Sequence, residues 1–260
     1  MKLNFEKEKK KETMSCIIEG NEFTLKTGTA LTWPDPIVLI STDLGYQAAL
    51  NRAISRGKKV HVEKIVIPKM TGKLKPNERI TAIEFDPTLS QKLWMQYKNL
   101  IADILGDNQI RTVILDTGTD LHKLCRMAHH GKLNQVKPFH YAAPNRDFIE
   151  THDQFLYEAG CDKNSVFIHH TRKQYVKSNT KDESVWNGLW EFDGHESLPK
   201  AVDAVFRVTR SGEQVTWKVM KARDRLDAVN MEFEFYEENG DGEFEETGML
   251  DWEVLKEFIL

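Results

Sequence analysis

Four short apolar runs, each breaking off at a polar residue or a glycine, set the tightest limit on how this chain can fold. Cys16-Ile17-Ile18 reaches Glu19-Gly20, and Ile37-Val38-Leu39-Ile40 reaches Ser41-Thr42-Asp43. Val113-Ile114-Leu115 reaches Asp116-Thr117, and Val166-Phe167-Ile168 reaches His169-His170. Aliphatic runs without polar alternation are strands covered on both faces, and such strands belong to parallel sheets packed between helices. Segments of helical spacing lie between them, notably residues 88–105, with Leu89, Leu93, Trp94, Tyr97, Leu100, Ile101 and Ile104 on one stripe. Two last runs, residues 204–209 and 214–220, join through Ser211-Gly212 as a hairpin. The expectation is an α/β fold, a mostly parallel central sheet flanked by helices, with antiparallel strands at the C-terminal edge.

The first run feeds Gly20-Asn21-Glu22-Phe23-Thr24-Leu25-Lys26-Thr27. This is the frame G-x-x-x-x-G-K-[ST] of a phosphate-binding loop, with Leu25 where the second glycine stands. In the intact loop, backbone N–H groups wrap phosphate, the lysine reaches the outer phosphates and the hydroxyl holds magnesium. The helix N-terminus that follows adds partial positive charge. A glycine at that position tolerates left-handed dihedrals and close phosphate approach. A branched residue forced into the same conformation gives up about 1–2 kcal/mol.

Ligands of open parallel sheets collect at the carboxyl ends of the strands. Four such ends would bring together the cradle of residues 20–27, Asp43 as a base for an attacking water, and Asp116 as a holder of magnesium. His169 and His170 would supply donors toward a terminal phosphate. Each group also has a plainer reading: the aspartates as turn or helix caps, the histidines as a polar step at a strand end. No spacing that joins these histidines to Cys161 or to His129-His130 matches a zinc knuckle.

Composition narrows the class further. With 260 residues, 40% of them hydrophobic and 29% charged, the chain suits one large core with appendages. No apolar run approaches the roughly 20 residues that cross a bilayer. Residues 1–14 alternate lysine with glutamate and read as a charged arm, not a secretory signal. Three widely spaced cysteines, Cys16, Cys125 and Cys161, read as reduced thiols of a cytoplasmic protein. A net charge of −4 argues against blanket binding to nucleic acid, but the charge is unevenly placed. Arg172, Lys173, Lys177 and Lys181 interleave with Tyr175, Trp186 and Trp190 in a polar segment spanning 172–199. Cations for phosphates and aromatic faces for unstacked bases suit single-stranded DNA; the alternative is a solvated loop whose tryptophans tuck into the core. From residue 226 onward acidic residues face a single Lys256, and the chain closes on Trp252, Val254, Leu255, Phe258, Ile259 and Leu260. That apolar tip either covers the protein's own surface or docks on a partner.

Taken in order, these pieces resemble the RecA-like P-loop ATPases. The resemblance is carried by Gly20 to Thr27, by Ala30-Leu31-Thr32-Trp33-Pro34 leading to Val38 through Asp43, and by Val113 through Thr117. It continues through Val166 to His170, Ala204 to Val208 and Lys218 to Arg223, covering about residues 14–225. It looks closest to the short phage-encoded recombinases and single-strand-annealing ATPases of the Sak group, with a degenerate phosphate loop. The resemblance implies ATP and Mg2+ as cofactors, nucleotide contacts from Gly20 to Thr27, and Thr27 with Asp116 at the metal. It implies Asp43 as the catalytic carboxylate beside Lys26, with His169 or His170 at a switch position. Lys221 and Arg223 would reach a neighbouring subunit's phosphate in a ring or filament. Arg172, Lys173, Tyr175, Lys177 and Lys181 would contact single-stranded DNA, with a single-strand binding protein as a further partner in the host cytoplasm. The division that follows is an arm at 1–14, a RecA-like core at 15–225 and an acidic segment at 226–260. Leu25 leaves two functions open: a DNA-dependent ATPase, and a non-hydrolysing RecA-like module of a nucleoprotein complex. A nucleotide-metabolism kinase would need an acceptor site and a lid-like arginine cluster, neither evident in the sequence.

Overall fold

The structure is a computed structural model that describes residues 13–22, 24–43, 45–67, 87–131, 138–156, 162–177, 184–212, 214–234, 236–238, 244–246 and 250–257. Its first half comprises β1 (Ser15–Gly20), α1 (Lys26–Ala30), β2 (Ile37–Ser41), α2 (Gln47–Ser55), β3 (Val60–Lys64), α3 (Pro87–Gly106), β4 (Thr112–Asp116) and α4 (Gly118–His130). Then come α5 (Ala142–Leu156), β5 (Asn164–Lys177), β6 (Ser184–Asp193), α6 (Leu198–Ala201), β7 (Ala204–Ser211) and β8 (Gln214–Ala222). The chain closes with β9 (Glu232–Glu234), β10 (Tyr236–Glu238), β11 (Phe244–Glu246) and α7 (Trp252–Glu257).

The main sheet runs β3-β2-β4-β5-β1-β7-β8-β9. Every neighbouring pair from β3 to β7 is parallel, whereas β8 and β9 add antiparallel strands at the edge. The α/β architecture expected from the apolar runs is therefore the one observed. Alternate residues of each strand feed opposite layers, as a two-sided sheet requires. Ile18, Leu39, Ile114, Phe206 and Trp217 pack with Leu31, Trp33, Leu50 and Trp252. On the other face Ile17, Ile40, Leu115 and Phe167 pack with Trp94, Tyr97, Leu124 and Phe148. Each such side chain contributes about 1.5–3 kcal/mol by leaving water.

Two stretches differ from the sequence reading. Helix α4 is absent from the sequence reading although Leu121, Leu124, Cys125 and Ala128 recur at helical spacing and are buried; its start is fixed by Thr117, whose hydroxyl accepts the Asp120 N–H, and its end by Gly131 in a left-handed conformation. The polar segment from residue 172 is largely strand. β5 runs past the sheet and pairs antiparallel with β6, from His170 opposite Asp193 to Lys177 opposite Ser184. Tyr175, Val176, Val185 and Trp186 in that ribbon are residue types that favour a pleated strand, and the charged residues between them hid the pattern.

The acidic segment contributes to the same body. β9 pairs with β8, and α7 docks just past α1, its Trp252 N–H donating to Thr32 Oγ1. Trp252 packs tilted against Trp33 with ring centres 4.2 Å apart, and Leu250 and Leu255 are fully buried. Residues 1–12, Cys161 and Phe258 to Leu260 lie outside the described residues. Cys16 and Cys125 are buried free thiols. Among the described residues no helix is long and apolar enough to cross a membrane.

Candidate phosphate-binding cleft

Register fixes the geometry of the carboxyl edge. Ser41, Asp116, Ile168, Ile18 and Phe206 form one row across β2, β4, β5, β1 and β7. Because all five strands run the same way, whatever follows this row emerges on one rim. Asp43, His170 and Gly20 each lie two residues beyond it. β5 lies between the loop-bearing β1 and the acid-bearing β4, so its extension rises between the two.

Gly20 has a packing reason to be glycine. A Cβ there would run into the Val208 carbonyl oxygen and come within 2.7 Å of its Cγ1, so only glycine lets β1 and β7 approach. The chain then turns through Asn21, Glu22 and Thr24 to Leu25; Phe23 lies outside the described residues. Leu25 takes the left-handed conformation of the missing glycine, with φ 58° and ψ 16°, and its carbonyl accepts the Thr29 N–H at 3.0 Å to open α1. The loop keeps its geometry at the conformational cost expected of a branched residue.

Lys26 is 7% exposed. Its ammonium donates to the carbonyl oxygens of Gly20 (3.0 Å) and Asn21 and to Thr24 Oγ1 (3.2 Å). Burial pushes its pKa down to about 8, against the pull of the Asp116, Glu22 and Asp43 carboxylates. The next residue, Thr27, donates its hydroxyl to Asp116 Oδ2 at 2.7 Å. Asp116 is 4% exposed, and burial pushes its pKa up to about 6, opposed by the Thr27 hydrogen bond and by Lys26. Asp43 lines the same cleft, its Oδ1 accepting the Gly45 N–H at 3.2 Å.

Strand alternation separates the two histidines. His170 faces the cleft, whereas His169 is fully buried against α4, its Nδ1 3.2 Å from both Thr119 Oγ1 and the Asp193 carbonyl. Burial pushes His169 down to about 3, so it is neutral. Burial, then the nearby Lys26 charge, lowers the pKa of His170 as well. Thr119 fixes His170 from behind: its hydroxyl accepts the His170 N–H at 3.0 Å and donates to the Asp193 carbonyl at 2.7 Å.

The cleft encloses about 380 Å³ and is also lined by Arg52 from α2 and Arg210 from the end of β7. Sequence reasoning missed both. Arg210 stands directly before the Ser211-Gly212 turn, but placing that turn beside the loop requires knowing that β7 pairs with β1. Lys221 and Arg223 do not join this cleft within one chain. β8 runs antiparallel, so they lie at the amino edge: Lys221 donates to the Pro199 and Lys200 carbonyls, and Arg223 pairs with Asp203 at 3.0 Å.

The ribbon carries the residues expected at DNA. Arg172 pairs with Glu191 at 2.8 Å, and the Lys173 ammonium lies 4.8 Å from the centre of the Trp186 ring. Trp186 and Trp190 meet edge to face at 6.2 Å, and they and Tyr175 are all exposed, so the tryptophans do not tuck into the core. Lys177 closes β5, and Lys181 lies outside the described residues. Two contacts tie the ribbon to the loop. Thr171 donates to Asn21 Oδ1 at 2.8 Å, and Arg207 joins buried Glu19 (2.6 Å) to the Trp190 carbonyl (3.1 Å).

Fold and cleft together define a mostly parallel α/β protein whose carboxyl rim carries a phosphate-loop frame, a buried lysine and two aspartates. No family model and no curated protein matches the sequence. Among solved structures the chain is similar to the RadB recombinase, at 10% identity over 88% of this chain and 89% of that one, with a TM-score of 0.46. It is also similar to an ATPase from the type III secretion system of pathogenic bacteria, at 10% identity and TM-score 0.46, over 76% of this chain and 52% of that one. The flagellar accessory protein FlaH from Methanocaldococcus jannaschii is similar at 11% identity and TM-score 0.35, over 80% of this chain and 78% of that one.

Proposed function

We propose that this chain is an ATP-binding RecA-like protein of DNA recombination or single-strand annealing, acting as an oligomer on single-stranded DNA. The observation that carries the reading is the meeting of Thr27 with Asp116 beside buried Lys26. Burial makes the charged forms of both Lys26 and Asp116 costly. A phosphate anion beside the first and a divalent cation beside the second would offset that cost, so the residues fit a magnesium–triphosphate group. Lys26 would turn from the Gly20 and Asn21 carbonyls to phosphate oxygens, and Thr27 and Asp116 would hold the metal. When bound, magnesium neutralises and orients the phosphates. Asp43 would accept a proton from a positioned water, while His170 and Arg210, which line the same cleft, would face the outer phosphate. The exposed tryptophans, Tyr175 and Lys173 of the ribbon would stack on and pair with single-stranded DNA. Lys221 and Arg223 would serve a neighbouring copy's cleft in a ring or filament.

A second reading has its own observation. Lys26 is fully engaged by the loop's own oxygens and Leu25 occupies the glycine position, which favours a RecA-like module that binds without turnover. ATP turnover by the full chain, with and without single-stranded DNA, separates the two. Turnover stimulated by DNA and lost in Lys26→Ala supports the ATPase. Absent turnover that Leu25→Gly does not restore supports the module, and no calorimetric binding of Mg-ATP overturns both.

A further inference from the structure

We infer that the chain carries a second, independent site for a thiophilic divalent metal, zinc by its ligand set, formed by Cys125, His129 and Asp147 where α4 meets α5. Cys125 and His129 are four residues apart, which puts both side chains on one face of α4. Asp147 comes from the first turns of α5, and the candidate ligand atoms of all three lie within 4.8 Å of one another. The site is on the order of 10–16 Å along α4 from its start at the cleft, so it is not part of the phosphate-binding rim. Spacing in the sequence conceals it, because the third ligand belongs to the next helix and no knuckle pattern forms.

The details of the cluster suit a metal. His129 Nε2 and Asp147 Oδ2 are 2.9 Å apart and share a proton that a cation at about 2.0–2.3 Å from N, O and S would replace. The carboxylate is already oriented from outside, by Trp94 Nε1 at 2.7 Å on Oδ2 and by Lys98 Nζ at 2.7 Å on Oδ1. Metal-ligating carboxylates are held by outer donors of this kind. The Cys125 thiol makes only a weak donation, to the Pro144 carbonyl at 3.2 Å. One thiolate and one carboxylate then neutralise the two charges of the metal, and water from the exposed His129 side completes a tetrahedron. A sulfur–nitrogen–oxygen set selects zinc over magnesium or calcium. The Lys98 ammonium opposes the cation, but its side chain is 37% exposed and can turn to solvent.

The test is metal titration of the chelator-treated full chain, with Co2+ as the optical probe and Zn2+ as competitor. The expected result is stoichiometric Co2+ binding with a thiolate charge-transfer band and tetrahedral d–d bands, all removed by Zn2+. Cys125→Ser, nearly isosteric, should abolish the charge-transfer band and weaken binding at least about tenfold. Should that variant fail to fold, His129→Ala, at the exposed end of α4, should weaken binding similarly. Zinc should raise the melting temperature of the natural chain and not of either variant. A wild-type chain with no thiolate band, or an unchanged zinc affinity in the folded variants, overturns the proposal.

Discussion

At the scale of single residues, Asp116 shows what the cleft costs in stability. Its pKa of about 6 in the folded chain lies above the usual 3.8, so between about pH 4 and 6 the folded state holds a proton that the unfolded state has released. Stability therefore falls as pH rises through that window, and a deficit on the order of 2–3 kcal/mol persists above it. Lys26 acts in the other direction: its pKa is lowered from 10.5 to about 8, so stability is regained as pH rises from 8 toward 10.5. Asp116→Asn keeps an acceptor for the Thr27 hydroxyl and removes the buried charge. Urea denaturation of the nucleotide-free chain should show the variant more stable at pH 8 and flatter between pH 4 and 6. A variant no more stable than the natural chain at pH 8 contradicts this account. Leu25→Gly tests the neighbouring strain. Relief of about 1–2 kcal/mol, less about 0.5–1 kcal/mol of added unfolded-state freedom, predicts a gain of up to about 1.5 kcal/mol and tighter Mg-ATP binding by calorimetry. At this scale the sequence was informative wherever the signal is local. Lys26 and Thr27, Asp43 and Asp116 could be placed on one rim because they stand at or just beyond the ends of three apolar strands. Choosing His170 over His169, or finding Arg210, depends on strand phase and pairing, which are not local.

At the scale of elements, the ribbon is where pattern reading failed. The residues picked for DNA, Arg172, Lys173 and Tyr175, do lie together with Trp186 and Trp190, but on two paired strands instead of a loop. A strand with polar and aromatic residues mixed on both faces has no buried side, so the period-two signal that marks half-buried strands is lost. The same absence of a core explains the exposure of its aromatics, with Trp186 at 43% and Tyr175 at 59%. If these faces stack on unpaired bases, Trp186→Ala and Trp190→Ala should each weaken binding of a labelled single-stranded oligonucleotide by about 1–3 kcal/mol. Fluorescence anisotropy reads that loss, and urea midpoints should move little because neither ring fills a core. Unchanged anisotropy curves for both variants would remove the ribbon from the DNA-binding reading.

At the scale of the whole molecule, the layered sheet was legible because uninterrupted apolar runs admit few other folds. That the apolar tip of the acidic end covers the protein's own surface was one of two readings open in the sequence, and charge composition hides which residues dock it. Leu250 donates its N–H to Thr29 Oγ1 at 3.1 Å, and Trp252 donates its own to Thr32 Oγ1 at 2.8 Å. Thr29 lies in α1 and Thr32 just beyond it, and α1 is only five residues long and begins with Lys26. So short a helix has little stability of its own and takes its position from what it rests on. Here that support includes Trp252, 6% exposed and packed tilted against Trp33. Trp252→Ala should therefore cost about 3–5 kcal/mol in urea denaturation, the range for emptying a buried aromatic site. It should also weaken Mg-ATP binding under conditions where circular dichroism shows the variant still folded, because α1 loses its backing. A chain truncated after residue 249 should behave in the same way. If instead truncation leaves both the unfolding midpoint and nucleotide affinity unchanged, the tail is an appendage and the phosphate loop is held from the sheet side alone.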